Sequence, residues 1–294
     1  MDRKGSFQVI LGDGGIKSLA VLPILRFLKE NHIQIEKITG CGGGATLAAL
    51  IALKVPFSEM VTIMGELYHH RLVSRLNLTT IAKLLKCPFL RPHLEDAVLS
   101  DQLFKEELKK TFENVRVEDL PIPLSIQATL FHKAERKSLT SGNLADALYA
   151  SNALYPLFAP ICLDDEWLVA GSFLSTLPLL DAAKSGKDAV LAIHIDRSGE
   201  FFFKNKIDFL ITVMTRSCVA DQTFELKMAE ELLKDNLTTL SIRFERAIGM
   251  WEDQAICDIL EAGEQALSDN SQALVRLLRV HGDPPSQFGG ACPD

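Results

Sequence analysis

Ile38-Thr39-Gly40-Cys41-Gly42-Gly43-Gly44-Ala45-Thr46-Leu47-Ala48-Ala49-Leu50, or ITGCGGGATLAAL, decides how this chain is read. Residues 33–39 alternate polar and apolar, meet a run of glycines, and continue into small apolar side chains. That composition predicts a strand turning sharply into a tightly packed helix over residues 45–53. A turn that mounts a nucleophile between strand and helix has the pattern G-x-S-x-G. The outer glycines, Gly40 and Gly44, are present, but the middle residue is Gly42, which has no side chain.

Working outward, residues 7–11 (FQVIL) form a short apolar run ended by a glycine cluster, as a buried strand would be. Residues 18–31 carry a broad apolar face and read as a helix. Strand, helix, strand and helix in succession predict a parallel sheet. Further on, residues 57–118 are helical in pattern, most clearly LTTIAKLLK and SDQLFKEELKKTFENV. Strands are expected at 121–130, 166–171 and 189–195, with a helix at 142–154. The expected organisation is one α/β domain over residues 1–294. Its core spans about 7–205, additional helices about 206–281, and a loop-like tail 282–294.

The chain has 294 residues, 47% hydrophobic and 23% charged, which is ordinary globular composition. A net charge of -7 argues against nucleic acid as a partner, since that normally requires a basic face. No secretory leader and no long apolar span stand out. The cysteines Cys41, Cys87, Cys162, Cys218, Cys257 and Cys292 are scattered without a C-x-x-C pair, so neither a metal site nor a redox motif is expected. Reduced thiols in the cytoplasm are the simplest reading.

Three separated segments line up. The first is Leu11-Gly12-Asp13-Gly14-Gly15-Ile16-Lys17-Ser18, a glycine turn between a strand and a helix, where backbone N–H groups can hold an anion. The second is the elbow Gly40, Cys41, Gly42 and Gly44. The third is Leu168-Val169-Ala170-Gly171-Ser172, followed by Leu177-Pro178. Their order and spacing resemble the patatin-like phospholipases over about residues 7–196. Connecting text supports this, notably IPL with AT at 122–129 and LADALYAS at 144–151.

The resemblance implies a three-layer α/β fold, with a mainly parallel sheet and helices on both faces. It also implies a lipid acyl hydrolase working through a Ser–Asp dyad and a glycine-rich oxyanion loop, with no metal or cofactor. Carried onto this sequence, the serine position is Gly42 and the aspartate position is Ala170, so neither catalytic group is intact. Asp13 replaces the first loop glycine and Ser18 the last. Gly14, Gly15 and Lys17 survive as a remnant anion-binding loop. Cys41 is adjacent to the elbow but points elsewhere, and a buried structural thiol is its expected role. Gly42 has a physical rationale of its own, because a non-glycine residue on such an elbow is strained by about 1–3 kcal/mol.

The expected function is therefore a catalytically inactive homologue acting as a non-catalytic partner or regulator of an active paralogue or another enzyme. Two alternatives stay open. One is an acyl-lipid-binding module using the remnant pocket. The other is an acyl hydrolase with non-standard residues, or one whose catalytic residues were removed. The basic and apolar stretches at 67–72 and 82–86 fit either a lid making peripheral membrane contact or, preferably, a core helix with a solvated face. Amphipathic helices at 222–236 and 252–280 leave an oligomer possible.

Overall fold

The computed structural model describes residues 7–73, 75–84, 93–183, 189–196, 209, 213 and 219–281. Its first strands are β1 (Phe7–Leu11), β2 (Lys37–Cys41), β3 (Leu124–Leu130) and β4 (Glu135–Leu139); then come β5 (Ile161–Leu163), β6 (Glu166–Ala170), β7 (Ala189–Ile195) and β8 (Leu237–Ile242). They make one eight-stranded sheet with neighbours β5–β6–β3–β2–β1–β7–β8, and β4 also on β3. The pairs β1–β2, β1–β7, β2–β3 and β7–β8 are parallel. The pairs β3–β4, β3–β6 and β5–β6 are antiparallel.

The central strands β1 and β7 are largely apolar because both faces are covered. Phe7, Val9 and Leu11 of β1 join the core built with Leu191, Ile193 and α1 (Leu22–Glu30), α2 (Gly43–Ala52) and α9 (Ile256–Asp269). Ile10 points the other way, into a cluster of Val190, Ala192, Ala229 and Leu233. The last two lie on α8 (Val219–Leu233). Every residue of α2 is buried, which explains its run of glycine and alanine: a central helix between sheet and helices has no room for larger side chains. The remaining helices are α3 (Phe57–Leu67), α4 (Leu78–Leu84), α5 (Gln102–Phe112), α6 (Leu144–Asn152), α7 (Leu179–Ala183) and α10 (Ser271–His281). Among the described residues, no helix is long and apolar enough to cross a membrane.

Most elements lie where the sequence places them. The helix expected at 18–31 is divided, with a 3-10 segment over Gly15–Val21 preceding α1. The larger departure is at 206–281, read from sequence as helices. Leu237–Ile242 is instead a strand that extends the sheet beside β7. The six residues LTTLSI follow a helix without a glycine or proline to mark the change. Downstream, Ile248 and Ile259 are buried in the main core, with Trp251 packed against it, so this region belongs to the sheet body. Residues 282–294, Cys87, Cys218 and Cys292 lie outside the described residues. Leu67, Tyr68 and Leu72 are buried while His70 and Arg71 are exposed, so residues 67–72 pack one face on the core and leave the other to solvent. Residues 85 and 86 of the second stretch also lie outside the described residues.

β3 has two edges, and their use determines where the site falls. β4 pairs with residues 126–130 on one edge. β2 lies opposite residues 124–127, and β6 opposite 128–130. Both occupy the other edge: Pro123 accepts from Ile38 of β2, and Phe131 donates to Trp167 at the start of β6. Backbone groups of alternate residues share an edge, so 123 and 131 point the same way. β2 and β6 therefore meet head to head, with Cys41 opposite Gln127 and Ala170 opposite Ala128.

α9 seats on the first crossover through Gly263. A Cβ there would lie 3.0 Å from both the Ala20 carbonyl carbon and Pro23 Cδ. Gly263→Ala is expected to lower unfolding free energy by about 1–3 kcal/mol in urea denaturation, the cost of overpacking. Gly249→Ala, whose Cβ would find its nearest neighbour at 3.6 Å, is expected to stay within about 0.5 kcal/mol of the parent.

Candidate functional site

The two strand ends bring together the three segments singled out from sequence. β2 ends at Cys41, Gly42 makes the turn, and α2 begins at Gly43. Gly42 adopts φ 53°, ψ −124°, a conformation that strains any residue with a Cβ. Gly40 and Gly44 allow the elbow to close: a Cβ on Gly40 would lie 2.8 Å from Ala45 N, and one on Gly44 2.7 Å from Leu11 O. A Cβ on Gly43 would lie 2.5 Å from Gly15 Cα, so elbow and glycine turn touch backbone to backbone.

Gly42 is gripped at both its N–H and its C=O by the last turn of α6. Its N–H donates to Ser151 Oγ at 2.9 Å, and the Ser151 hydroxyl donates to Gln127 C=O at 2.6 Å. Its carbonyl accepts from Asn152 Nδ2 at 3.3 Å and from Thr46 Oγ1 at 3.4 Å. Tyr68 completes the network, donating to Asn152 Oδ1 at 2.8 Å and lying 3.0 Å from Thr46 Oγ1. Burial, with the Asp13 carboxylate as a lesser cause, pushes the Tyr68 phenol above its ordinary range, so it is a neutral donor here. None of these side chains except Ser151 drew attention in the sequence, because their roles depend on how α3 and α6 approach α2.

Asp13 occupies the space above the elbow. The carboxylate is 5% exposed, and its Oδ1 accepts from Gly43 N–H at 3.1 Å. A Cβ on Gly42 would overlap Oδ1 and lie 2.5 Å from Cγ. The volume a nucleophile would need is therefore filled by a carboxylate of the neighbouring turn. Asp13 is itself held by its N–H, which donates to Thr176 O at 2.8 Å.

The glycine turn at Gly14, Gly15 and Lys17, expected from sequence to be a remnant anion-binding loop, is similarly packed. Gly15 has φ 57°, and the amide after it, Ile16 N–H, donates to Met250 O at 3.0 Å. A Cβ on Gly14 would lie 2.9 Å from Ile195 and 3.2 Å from Ser18 Oγ, a buried hydroxyl without a hydrogen-bond partner. Lys17 is half-buried. The third segment contributes Gly171, whose Cβ would lie 2.8 Å from the Gln127 carbonyl carbon and 3.0 Å from Cys41 Sγ. Cys41 is fully buried. Ala170 is buried among Leu99, Leu154, Leu157 and Phe158, with Met250 and Trp251 packed over them. These are apolar surroundings in which a carboxylate would lose its hydration.

The sequence leads one to expect a shallow hollow between Gly42 and Ala170. Two cavities among the described residues lie elsewhere. One of about 190 Å³ is bounded by Lys105, Asp146, Tyr149 and Ile161, the other of about 40 Å³ by Thr80 and Tyr155. Neither is lined by the elbow or the glycine turn.

Two expectations follow from this geometry. Ser151→Ala leaves Gly42 N–H and Gln127 C=O without their bridge. It should cost about 2–4 kcal/mol in chemical denaturation, since each buried unpaired group costs about 1–3 kcal/mol. Gly42→Ser should destabilise by at least the strain of about 1–3 kcal/mol. Adding Asp13→Gly should return part of that loss, so a double-mutant cycle on unfolding gives a coupling of about 0.5–3 kcal/mol.

The matched family model, the patatin-like phospholipase model, spans residues 9–183 and so takes in β1 through α7, with the glycine turn, elbow and β6 end inside it. Similar curated proteins include lysophospholipase NTE1 of Pyricularia oryzae, 24% identical over 190 residues, covering 65% of this chain and 12% of that protein. Patatin-like phospholipase domain-containing protein 7 of Rattus norvegicus is 26% identical over 207 residues, covering 70% of this chain and 15% of that protein. The chain thus spans about an eighth of the length of such relatives. Among solved structures, VipD from Legionella pneumophila has a TM-score of 0.46 at 13% identity, covering 90% of this chain and 67% of that one. The type III effector protein ExoU has a TM-score of 0.42 at 14% identity, covering 90% of this chain and 53% of that one. With the family model matched over more than half its length, this chain belongs to the patatin-like phospholipase family.

Proposed function

We propose that this chain is a catalytically inactive member of its family that acts as a non-catalytic partner or regulator of another enzyme. The observation that carries this is the Asp13 carboxylate lying in the space above Gly42. Acyl transfer needs a nucleophile on the elbow, a base beside it and donors for the oxyanion. Gly42 offers no hydroxyl, and Ala170 offers no base. The Gly43 N–H that could face an oxyanion donates to an internal anion instead. A substrate carbonyl arriving here would meet negative charge, which opposes the developing oxyanion.

The surface supports a partner role. On α8, Phe224, Met228 and Leu232 are 65%, 36% and 61% exposed and recur at every fourth residue, so they form one apolar ridge. Lys227, Glu230 and Glu231 rim it, the anatomy of a protein interface with an apolar centre and a charged edge. The opposite face of α8 is anchored, with Glu225 held by Arg136, Ser175 and Leu180. A rigidly seated helix presenting apolar side chains outward suits docking. The thiols of Cys41, Cys162 and Cys257, not joined in disulfides, fit a cytoplasmic setting.

The purified chain should not hydrolyse a chromogenic acyl ester above background, and turnover by the unmodified protein would sink the reading. Gly42→Ser with Ala170→Asp should also remain inactive, because Asp13 still fills the serine's space. Mixed with an active patatin-like lysophospholipase, the chain should bind and change its rate. Phe224→Asp should weaken that binding about tenfold or more, the effect of losing one interface anchor.

A further inference from the structure

We propose that His69, His70 and Asp253 form a binding site for one divalent transition-metal ion of the zinc class, placed where the chain's C-terminal part closes over the glycine turn. His69 and His70 follow α3, while Asp253 opens the short turn Asp253–Ala255 before α9. The fold brings these distant residues into one cluster. Asp253 Oδ1 lies 3.0 Å from His70 Nδ1, and Asp253 Oδ2 lies 3.5 Å from His69 Nε2. All three donor atoms lie within 4.8 Å of one another.

The donor set and spacing point to the ion. Two imidazoles with one carboxylate suit zinc-class ions over magnesium or calcium, which prefer all-oxygen shells. A tetrahedral ion with bonds near 2.1 Å keeps its ligand atoms about 3.4 Å apart. The 3.0 and 3.5 Å contacts are close to that spacing but end on different oxygens of Asp253, so the carboxylate has to turn or bind through both oxygens and the imidazoles have to draw together. With its side chain 60% exposed, His70 leaves the fourth position open to water.

Without metal, the carboxylate is held by protons. His70 backbone N–H also donates to Asp253 Oδ1, at 3.3 Å. His69 Nδ1 accepts from Arg71 N–H at 3.2 Å, which places the neutral ring's proton on Nε2, toward Asp253. Metal binding moves that proton to Nδ1 and gives up the Arg71 contact, which is at the long end of the hydrogen-bond range. The two rings are stacked with centroids 4.4 Å apart, so the exposed His70 ring must turn for both lone pairs to converge. Such turning is a rotamer change of a surface side chain.

The position gives the ion a consequence. Met250, three residues before Asp253, accepts from Ile16 N–H of the glycine turn, and Gly249 N–H is tied to Glu252. An ion fastening Asp253 to the end of α3 would hold this cover down on the turn. This is independent of whether the chain is catalytic.

The test uses the full chain, stripped with a chelator and titrated with zinc and with cobalt(II). One ion per chain is expected, with a raised melting temperature and slower amide exchange at Ile16. The cobalt spectrum should lack a thiolate charge-transfer band. Asp253→Asn, which keeps size and fold, and His70→Gln should each weaken uptake by at least about tenfold. Absence of saturable uptake, uptake unchanged in both variants, or a thiolate band that persists in them would overturn the proposal.

Discussion

The Ser151 hydroxyl carries the junction on which the site depends. β2 and β6 approach each other head to head along one edge of β3, and neither covers the Gln127 carbonyl completely at the place where they stop. A buried carbonyl and a buried amide would be left unpaired there, and the interior cannot leave such groups bare cheaply. Ser151 Oγ accepts from Gly42 N–H and donates to Gln127 C=O, so one side chain joins elbow, sheet and α6. Its neighbour Asn152 holds the carbonyl of the same residue. The elbow keeps its sharp shape because it is gripped from both ends.

That grip explains how the fold persists without the chemistry we propose to be absent. The elbow conformation is strained for a side chain but permitted for glycine, so Gly42 removes a cost while the geometry stays. Asp13 lies above the elbow and accepts from Gly43 N–H, an amide at the positive end of α2. The carboxylate fits there because the elbow bears no side chain. Opposite them, Ala170 merges into an apolar cluster that Met250 and Trp251 extend. The same C-terminal segment carries Asp253 and Met250 O, so the cover, the glycine turn and the proposed ion site are mechanically continuous.

Much of the fold was legible. Buried strands such as FQVIL and AVLAIHI declare themselves as apolar runs, because sheets covered on both faces need no alternation. Glycine clusters mark where strands turn into helices, and α2 shows as a stretch of small residues. The polar hairpin strand ERKSL (β4) and the short ICL (β5) were not legible, since edge strands of this kind have no distinctive pattern. β8 was hidden by its neighbours: threonine-rich and unpunctuated, it becomes a strand because β7 offers an open parallel edge. Tertiary pairing decides such segments, not propensity.

The sequence by itself determined the family resemblance, the elbow and the absence of a hydroxyl at Gly42 and a carboxylate at Ala170, because each is a matter of residue identity at a punctuated position. Only the tertiary structure decided where Asp13 goes, that Ser151 and Asn152 hold the elbow, and that Ala170 is buried in an apolar cluster. It alone brought His69 and His70 to Asp253. The physical reason is common to all of these: contacts between segments far apart in the chain depend on which strand edge and which helix face meet, and a single chain's order of residues does not record that.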